Sequence, residues 1–265
     1  MRIATWNVNS IRARTERLVN WLQRSDIDTV AIQETKVPDD KFPYAALQDI
    51  GYQVAHHGVS QWNGVAIISR VGITDVQHGF AEIPQFTGPE GDPIDEARAI
   101  AATCGGVRIW SLYVPHGRAV GDPHYYYKLD WLAALQADGA EWLTKDPQAQ
   151  IALCGDYNIA PTDADVWDTR VFEGLTHVTE PERAAYQKLT DTGYTDVVRP
   201  YTPEPRTFTY WDYQQLRFQK KQGMRIDFAL CSPALAARVT GASIDREERK
   251  GKGASDHAPV IVDLN

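Results

Sequence analysis

Short apolar stretches alternate along this chain with segments of helical periodicity, and this switching of period restricts the fold more than any other feature. Residues 3–8 and 27–33 are short β-rich stretches, whereas Leu18, Val19 and Leu22 between them recur at helical spacing. Further strands are predicted at 52–55, 65–69, 97–103, 107–114, 151–154, 225–231 and 259–262, and further helices at 124–143 and 181–190. Strands with interspersed helices indicate an α/β fold.

The chain shows no low-complexity segment or linker that would divide it, and we expect a single domain over residues 1–265. Two long connections, 79–96 and 198–223, carry no clear period. Cys104, Cys154 and Cys231 are odd in number, far apart and set in apolar surroundings, so reduced buried thiols are expected rather than disulfides or a zinc site. A signal peptide and a membrane-spanning stretch are not expected either, and we predict a cytoplasmic protein.

The formal net charge of −8, with 27 Lys and Arg against 35 Asp and Glu, argues against a protein that coats nucleic acid. It leaves room for an enzyme with a basic rim around an acidic centre. There a bound cation would invert the local field that reaches a phosphate group.

Polar side chains that could form a reaction site gather at or near the ends of the predicted strands. They are Asn7, Asn9, Glu34, Asp156, Asn158, Asp227, Asp256 and His257. Each alone could simply make a turn, but carboxylates and amides together are the hard oxygen ligands that suit Mg²⁺. A histidine beside Asp256, with Asp227 available to orient it, supplies a phosphate contact or a proton-transfer group. The set therefore fits phosphodiester hydrolysis, which needs a metal, a base for water and donors for the phosphate oxygens.

Several strings of the sequence resemble the signature blocks of the exonuclease III family, and they follow one another in the family's order along the whole chain. These strings are 6–13 (WNVNSIRA), 33–36 (QETK), 155–158 (GDYN), 223–227 (GMRID) and 255–259 (SDHAP). Two of them, GDYN and SDHAP, mark only the wider endonuclease/exonuclease/phosphatase superfamily. The DNA-repair branch is indicated by QETK, by YVP at 113–115 followed by Gly117 and Arg118, and by TFTYWDY at 207–213.

The resemblance implies a DNase I-like four-layer sandwich, in which two packed mixed β-sheets are flanked by helices and both halves of the chain contribute to one cleft. It implies an Mg²⁺-dependent enzyme, with Mn²⁺ as an alternative ion, that cleaves double-stranded DNA 5′ to abasic sites. Cleaning of blocked 3′ ends and a 3′→5′ exonuclease activity are further expectations, and a monomer is expected.

The resemblance also assigns roles to single residues. It implies a metal set centred on Glu34, with Asn7, Asn9 and Asp256 nearby and Asp156, Asn158 and His257 adjoining. Asp156 would activate the attacking water and Asn158 would orient it, Tyr113 would contact the scissile phosphate, and His257 with Asp227 would bind that phosphate. A pocket for a sugar lacking its base is implied at Tyr210, Trp211, Met224 and Ile226, and DNA-inserting loops at Arg118 and Gln214. Ser10 stands where many relatives have glycine, an exchange expected to be tolerated.

Two other functions use the same features differently. The same fold could serve an inositol-phosphate, sphingolipid or RNA phosphodiesterase, but the string at 33–36 and the pocket around Tyr210 speak against this. A DNA-binding scaffold without activity is the second alternative. Each position that the chemistry requires holds a competent side chain, which speaks against it.

Overall fold

The computed structural model describes residues 1–88 and 91–265, and most of its strands form two six-stranded sheets. In spatial order the first sheet is β13 (Val239–Ile244), β14 (Val260–Leu264), β1 (Arg2–Asn7), β2 (Thr29–Gln33), β4 (Val65–Ser69) and β3 (Gln53–His57). The second is β11 (Thr195–Asp196), β12 (Asp227–Cys231), β10 (Ile151–Asp156), β9 (Val107–Tyr113), β8 (Ala99–Cys104) and β5 (Thr74–His78). Both sheets are mixed, because β1 pairs in parallel with β2 and β9 with β10, while their other pairs are antiparallel.

Helices cover the outer face of each sheet, so the predicted four-layer sandwich is confirmed. Helix α1 (Ile11–Ser25) packs Leu18, Trp21 and Leu22 against the first sheet. Helices α3 (Pro123–Lys145) and α4 (Glu180–Asp191) pack against the second, where Trp131 lies among its buried contacts. The short helices α2 (Tyr44–Gln48) and α5 (Pro233–Ala236) complete the described set.

The two sheets meet face to face through aliphatic side chains, and a few buried polar groups join them across this layer. Ile3 and Ile67 of the first sheet share one cluster with Ile109 of the second. At the end of β2, Gln33 donates from Nε2 to Ser111 Oγ over 2.9 Å, and the Ser111 hydroxyl donates to the carbonyl of Ile32 over 2.7 Å. A buried polar group is stable only when it finds its partner, so these bonds fix how one sheet is aligned on the other.

Differences from the predicted elements follow from exposure and from length. Strand β5 was not predicted because all five of its residues are exposed and give no apolar alternation. Strand β13 was not predicted either, since it is partly exposed and has a bulge between Val239 and Gly241. Strand β11 has only two residues, too few to give a pattern. The connection 79–96 carries a hairpin of β6 (Phe86–Thr87) and β7 (Pro93–Ile94), and residues 89 and 90 lie outside the described residues. The connection 198–223 contains single 3₁₀ turns at Arg199–Tyr201 and Gln214–Leu216.

The three cysteines are free and buried, as predicted. Among the described residues, none of the helices combines the length and the apolar character needed to cross a membrane.

Several residues in the turns that follow β1 and β2 have a positive φ angle, which is unfavourable for residues other than glycine. Asn9, Glu34 and Lys36 have φ angles of 44°, 55° and 55°, and Ser10 reaches 88°. Such left-handed conformations cost of order 1–3 kcal/mol each for residues other than glycine and persist where surrounding contacts hold them. Here the amide of Ser10 donates to the carbonyl of Glu34 over 2.7 Å, which ties the two turns together.

Replacing Ser10 with glycine is expected to raise the free energy of unfolding by about 1 kcal/mol, because glycine adopts φ near 88° without a steric penalty. The Ser10 side chain does not cap α1, so little is lost with it. Urea denaturation measures the change. Ser10→Ala is the control, since it removes the hydroxyl and keeps the strain. A Gly variant no more stable than the Ala variant would show that the turn is unstrained.

Candidate active site

Glu34, Asp156 and His257 converge at one end of the sandwich, although they come from different sheets. Each offers one ligand atom, and these atoms lie within 4.8 Å of one another. Glu34 follows β2, Asp156 is the last residue of β10, and His257 lies just before β14. Gly155 permits the approach of β10 to β9 here, because a Cβ at this residue would lie 1.9 Å from the carbonyl oxygen of Leu112. The sequence predicted all three residues for one site.

Asn7 connects two of these carboxylates from beneath. Its Nδ2 donates to Glu34 Oε1 over 2.8 Å and to Asp156 Oδ2 over 2.9 Å, while its Oδ1 accepts from the amide of Asn9 over 3.0 Å. The side chain is fully buried. Asn7 therefore presents its amide hydrogens to the centre and orients both carboxylates, and its predicted role as a metal ligand remains a prediction.

Asn9 and Asp256 form a second polar group beside the centre. Asn9 donates from Nδ2 to Asp256 Oδ1 over 3.0 Å and accepts from Lys36 Nζ over 2.6 Å. The same ammonium lies 2.7 Å from Glu34 Oε2. Burial would raise the pKa of Glu34, but Lys36 and the Asn7 amide outweigh it and hold that pKa below its usual value. Glu34 is therefore ionised at neutral pH.

His257 and Asp227 form a buried pair. His257 Nδ1 lies 2.9 Å from Asp227 Oδ2, and its Nε2 lies 3.8 Å from Asp156 Oδ2. Burial would lower the pKa of His257, but the charges of Asp227 and Asp156 outweigh it and raise the pKa to about 10. At pH 7 the ring is therefore an imidazolium that aims Nε2–H into the site.

The buried carboxyl group of Asp156 has a raised pKa, because other carboxylates lie close to it. Burial raises its pKa, His257 opposes the change, and Asp227 and Glu34 add to it, so that the pKa reaches about 7. A base serves best when its pKa lies near the working pH. With this pKa, the Asp156 carboxylate is able to accept a proton near neutral pH.

Tyr113 closes one side of the centre at the end of β9. Burial together with the Glu34 charge raises the pKa of its hydroxyl well above the usual value, so the hydroxyl stays protonated and is able to donate. The buried Arg98, which sequence reasoning missed, holds it: the guanidinium lies 4.9 Å from the centre of the ring, and Nη1 donates to the carbonyl of Tyr113 over 3.3 Å.

Asn158 follows β10 with a φ angle of 51°, and both its backbone and its side-chain amide form hydrogen bonds. Its backbone N–H donates to Asp156 Oδ1 over 2.9 Å, and its Nδ2 donates to the carbonyl of Val114 over 3.0 Å. Its Oδ1 lies 3.2 Å from Nε2 of the buried His177. No periodicity or strand end marks His177 in the sequence, and it was not predicted.

A cavity of about 430 Å³ opens beside the three converging residues, with a polar floor and one apolar wall. Of the predicted pocket and DNA residues, it is lined by Arg118, Tyr210, Met224 and Ile226. It is also lined by residues that the sequence did not indicate, among them His116, Trp167, Phe172, Leu175 and His177. The ring of Tyr210 lies 4.9 Å from the ring of His257 at an interplanar angle of 54°. Tyr210 also exchanges backbone hydrogen bonds with Met224, so the wall is joined to the end of the sandwich that carries His257.

Two predicted pocket and DNA residues lie away from the cavity. Trp211 is 1% exposed and packs beneath the wall with Phe208 and Ala258 because its side chain points away from Tyr210 into a separate apolar cluster. Its amide donates to the carbonyl of Asp256, so it supports the loop rather than lining the pocket. Gln214 is exposed at the start of a 3₁₀ turn outside the cavity.

The donor set fits a divalent metal ion. Glu34 and Asp156 supply carboxylate oxygens, and Asp256 adds one at the cavity wall. Hard cations such as Mg²⁺ or Mn²⁺ take one or two carboxylates together with water and phosphate oxygens. His257 offers nitrogen within the same group, but its imidazolium state favours a phosphate contact over ligation, since a ligating imidazole must be neutral.

The two-sheet sandwich and the carboxylate–histidine centre at its end together define a phosphoesterase. The chain belongs to the endonuclease/exonuclease/phosphatase family, whose model matches residues 4–257. It is 30% identical to exodeoxyribonuclease III of Haemophilus influenzae, with the full length of both chains covered.

Solved structures agree with this assignment. The structure of the 3′ phosphatase NExo from Neisseria, bound to a product DNA hairpin, is 39% identical with a TM-score of 0.92 and covers 100% of this chain and 99% of the other. An AP endonuclease from Archaeoglobus fulgidus is 34% identical with a TM-score of 0.90 at the same coverage.

Proposed function

We propose that this protein is a metal-dependent DNA-repair phosphodiesterase that cleaves the backbone 5′ to abasic sites in duplex DNA and processes blocked 3′ ends. The observation that carries the proposal is the convergence of Glu34, Asp156 and a protonated His257 beside a cavity with one apolar wall. Mg²⁺ is the proposed ion, with Mn²⁺ as a substitute. A monomer and a cytoplasmic location remain predictions.

The residues divide the work of hydrolysis among them. The Nε2–H of His257 and the hydroxyl of Tyr113 donate to oxygens of the scissile phosphate. Asp156 accepts a proton from the water that attacks phosphorus, and Asn158, fixed on the Asp156 carboxylate, orients that water. The bond from phosphorus to the 3′ oxygen then breaks, and that oxygen takes a proton from solvent water, which leaves a 3′-hydroxyl on one product and a 5′-phosphate on the other. A divalent ion bound at Glu34 would supply charge neutralisation at the phosphate.

The cavity supports selectivity for a nucleotide without its base. Tyr210, Met224 and Ile226 form part of its wall, and the first two are held by backbone bonds to each other. Turning a nucleotide out of the duplex costs least where no base is stacked. A sugar without a base is also small enough to fit against the aromatic wall, whereas the base of a normal nucleotide would clash with it.

Processing of 3′ ends without abasic-site cleavage is a second candidate, and the identities favour it. Two structures from Neisseria described as a 3′ phosphatase and a 3′–5′ exonuclease are 39% and 40% identical to this chain, against 34% for the archaeal AP endonuclease.

One experiment tests both functions. A 5′-labelled duplex carrying a single tetrahydrofuran abasic analogue and a matched duplex with a nick ending in a 3′-phosphate are incubated with Mg²⁺ or with EDTA. Cleavage of the first 5′ to the analogue, together with removal of the 3′-phosphate from the second, is the expected result. Conversion of the second substrate alone would establish the narrower candidate, and EDTA-resistant cleavage would contradict the role of the metal.

Glu34→Gln is expected to weaken activation by Mg²⁺ by roughly 10- to 100-fold, since the amide keeps the shape of the side chain and loses its charge. High Mg²⁺ or Mn²⁺ should restore part of the activity. Titration of activity against metal concentration measures the shift. Glu141→Gln on the exposed side of α3 is the matched control. An unchanged metal requirement in the Glu34 variant would remove this residue from the site.

A further inference from the structure

A fully buried ion pair lies directly beneath the cavity. Lys128 Nζ and a carboxylate oxygen of Glu182 are in contact, and neither side chain is exposed to solvent (0% for both). Lys128 lies on the buried stripe of α3 with Trp131, Leu132 and Leu135. Burying both partners carries a large desolvation penalty, so such a pair is weak evidence for stability and requires another explanation.

The ammonium of Lys128 uses its remaining hydrogens on the backbone of two cavity segments. It donates to the carbonyl of Asn158 over 2.7 Å and to that of His116 over 3.4 Å. Glu182 lies in the first turn of α4, where its other oxygen accepts from the amide and hydroxyl of Thr179 in a capping box. One buried contact therefore joins α3, α4 and the segment that follows β10.

Asn158 is the residue that gains most from this contact. Its left-handed backbone is clamped on both sides, because its N–H donates to Asp156 Oδ1 and its carbonyl accepts from Lys128. Strained conformations of this kind persist only where surrounding contacts over-determine them. Without Lys128, the carbonyl of Asn158 would be buried and would lose a charged donor.

The side-chain amide of Asn158 depends on the same clamp. Since its Nδ2 donates to the carbonyl of Val114, its Oδ1 must accept, and His177 must carry its hydrogen on Nε2. The unprotonated Nδ1 of His177 then accepts from the hydroxyl of Thr176, 2.9 Å away. Burial, with the charge of Lys128, lowers the pKa of His177 well below its usual value and keeps this ring neutral.

We propose that Lys128, paired with Glu182, is a positioning residue for Asn158: its ammonium fixes the Asn158 carbonyl and thereby the orientation of the Asn158 amide and of the Asp156 carboxylate bonded to it. The effect on turnover rests on the proposed function, whereas the effect on the side chains does not.

The test compares Lys128→Met/Glu182→Gln with Glu182→Gln alone. Methionine fills the space of the lysine stem, glutamine retains the capping box, and the double variant leaves no unpaired buried charge. Its kcat on the preferred DNA substrate is expected to fall about 10- to 100-fold, as for a small misplacement of a reacting group, with KM unchanged. Glu182→Gln alone keeps the contact of Lys128 with Asn158 and should stay within about threefold of wild type.

Arg17→Met/Glu248→Gln is the matched control, because it removes a partly buried ion pair between α1 and the 3₁₀ turn Arg246–Arg249, and neither residue lines the cavity. It should lower the urea midpoint without lowering kcat. An unchanged kcat in the Lys128 double variant would overturn the proposal. So would a loss of kcat of about 10-fold or more in Glu182→Gln alone, a result that can be measured even if the double variant does not fold.

A second readout uses the protein without metal or DNA. In ¹⁵N NMR of the imidazole groups, wild type should show His177 as the Nε2–H tautomer, and the Lys128 double variant should show a mixture of tautomers. The same tautomer in both would overturn the proposal, whatever happened to kcat. If wild type failed to cleave DNA at all, the proposed function would fail, and the NMR comparison would still decide the role of Lys128.

Discussion

Replacing Asp156 with asparagine is expected to lower turnover by about 10²–10⁴-fold, the usual contribution of a positioned general base. Asparagine keeps the acceptor oxygen for the Asn158 amide but cannot take a proton from water. DNA affinity should hardly fall, because the variant removes a negative charge from a site that binds phosphate. Single-turnover cleavage and binding in Ca²⁺, measured on the same duplex, separate the two effects.

The folded state gives an independent check on this variant. The pKa of Asp156 is raised to about 7, so its contribution to stability is fully present below the usual pKa of 3.8 and is lost as pH rises through 7. At pH 8 the metal-free variant should therefore unfold at higher urea than wild type. Asp130→Asn on the exposed face of α3 should change neither property. Near-normal cleavage by the Asp156 variant would make this residue structural.

Asp227→Asn is expected to lower kcat on the order of 10²–10³-fold, the loss that follows when one charged donor to the reacting group is removed. Burial then lowers the pKa of His257 with less opposition, so the ring loses its proton at a lower pH than in wild type. The alkaline limb of the pH–rate profile should move to lower pH. Measuring kcat from pH 5 to pH 10 shows the shift.

The pH dependence of the free energy of unfolding should also reveal the His257–Asp227 pair. The folded-state pKa of about 10 lies above the ordinary 6.5, so the stabilisation is complete below pH 6.5 and disappears as pH rises toward 10. The difference in urea midpoint between wild type and Asp227→Asn should therefore be largest in mild acid. Asp263→Asn, which breaks the exposed pair with Arg2, is the control and should leave the pH–rate profile in place. Identical profiles in wild type and Asp227→Asn would refute the pairing.

The sequence predicted the centre well because its residues follow strands that the apolar pattern marks. Glu34, Asp156 and His257 each stand next to a buried strand, and ordered strings place them in one family. The same reasoning was less successful for orientation. Trp211 follows Tyr210 directly, yet its ring points to a separate cluster, because successive residues of an extended segment face opposite sides. Asn7 was predicted at the right place, but only the structure shows that its amide nitrogen faces the carboxylates.

The sequence did not predict the roles of some charged residues, because residues of their type are normally exposed to solvent and these are buried. A lysine within a helix is normally solvated, yet Lys128 is fully buried because α3 and α4 bring Glu182 to it from a distant position in the chain. Arg98 is likewise buried against Tyr113. Neither pairing follows from local pattern, since it depends on which helices and strands become neighbours. The polar strand β5 was missed for the same reason: its partner β8, not its own sequence, makes it a strand.

The hydrogen bonds that Gln33 and Ser111 make across the interior align the two sheets, and the catalytic centre forms only when this alignment is correct. Glu34 and Asp156 belong to opposite sheets, and Asn7 connects them only when the sheets are correctly aligned. A chain cut between β5 and β6 would yield two fragments, of which one carries Glu34 and the other Asp156. Neither fragment holds the complete centre. Any DNA-cleavage activity that returns when the fragments are mixed would therefore measure how many fragment pairs have associated correctly. Catalysis would then serve as a fragment-complementation signal that partial collapse of the chain cannot imitate.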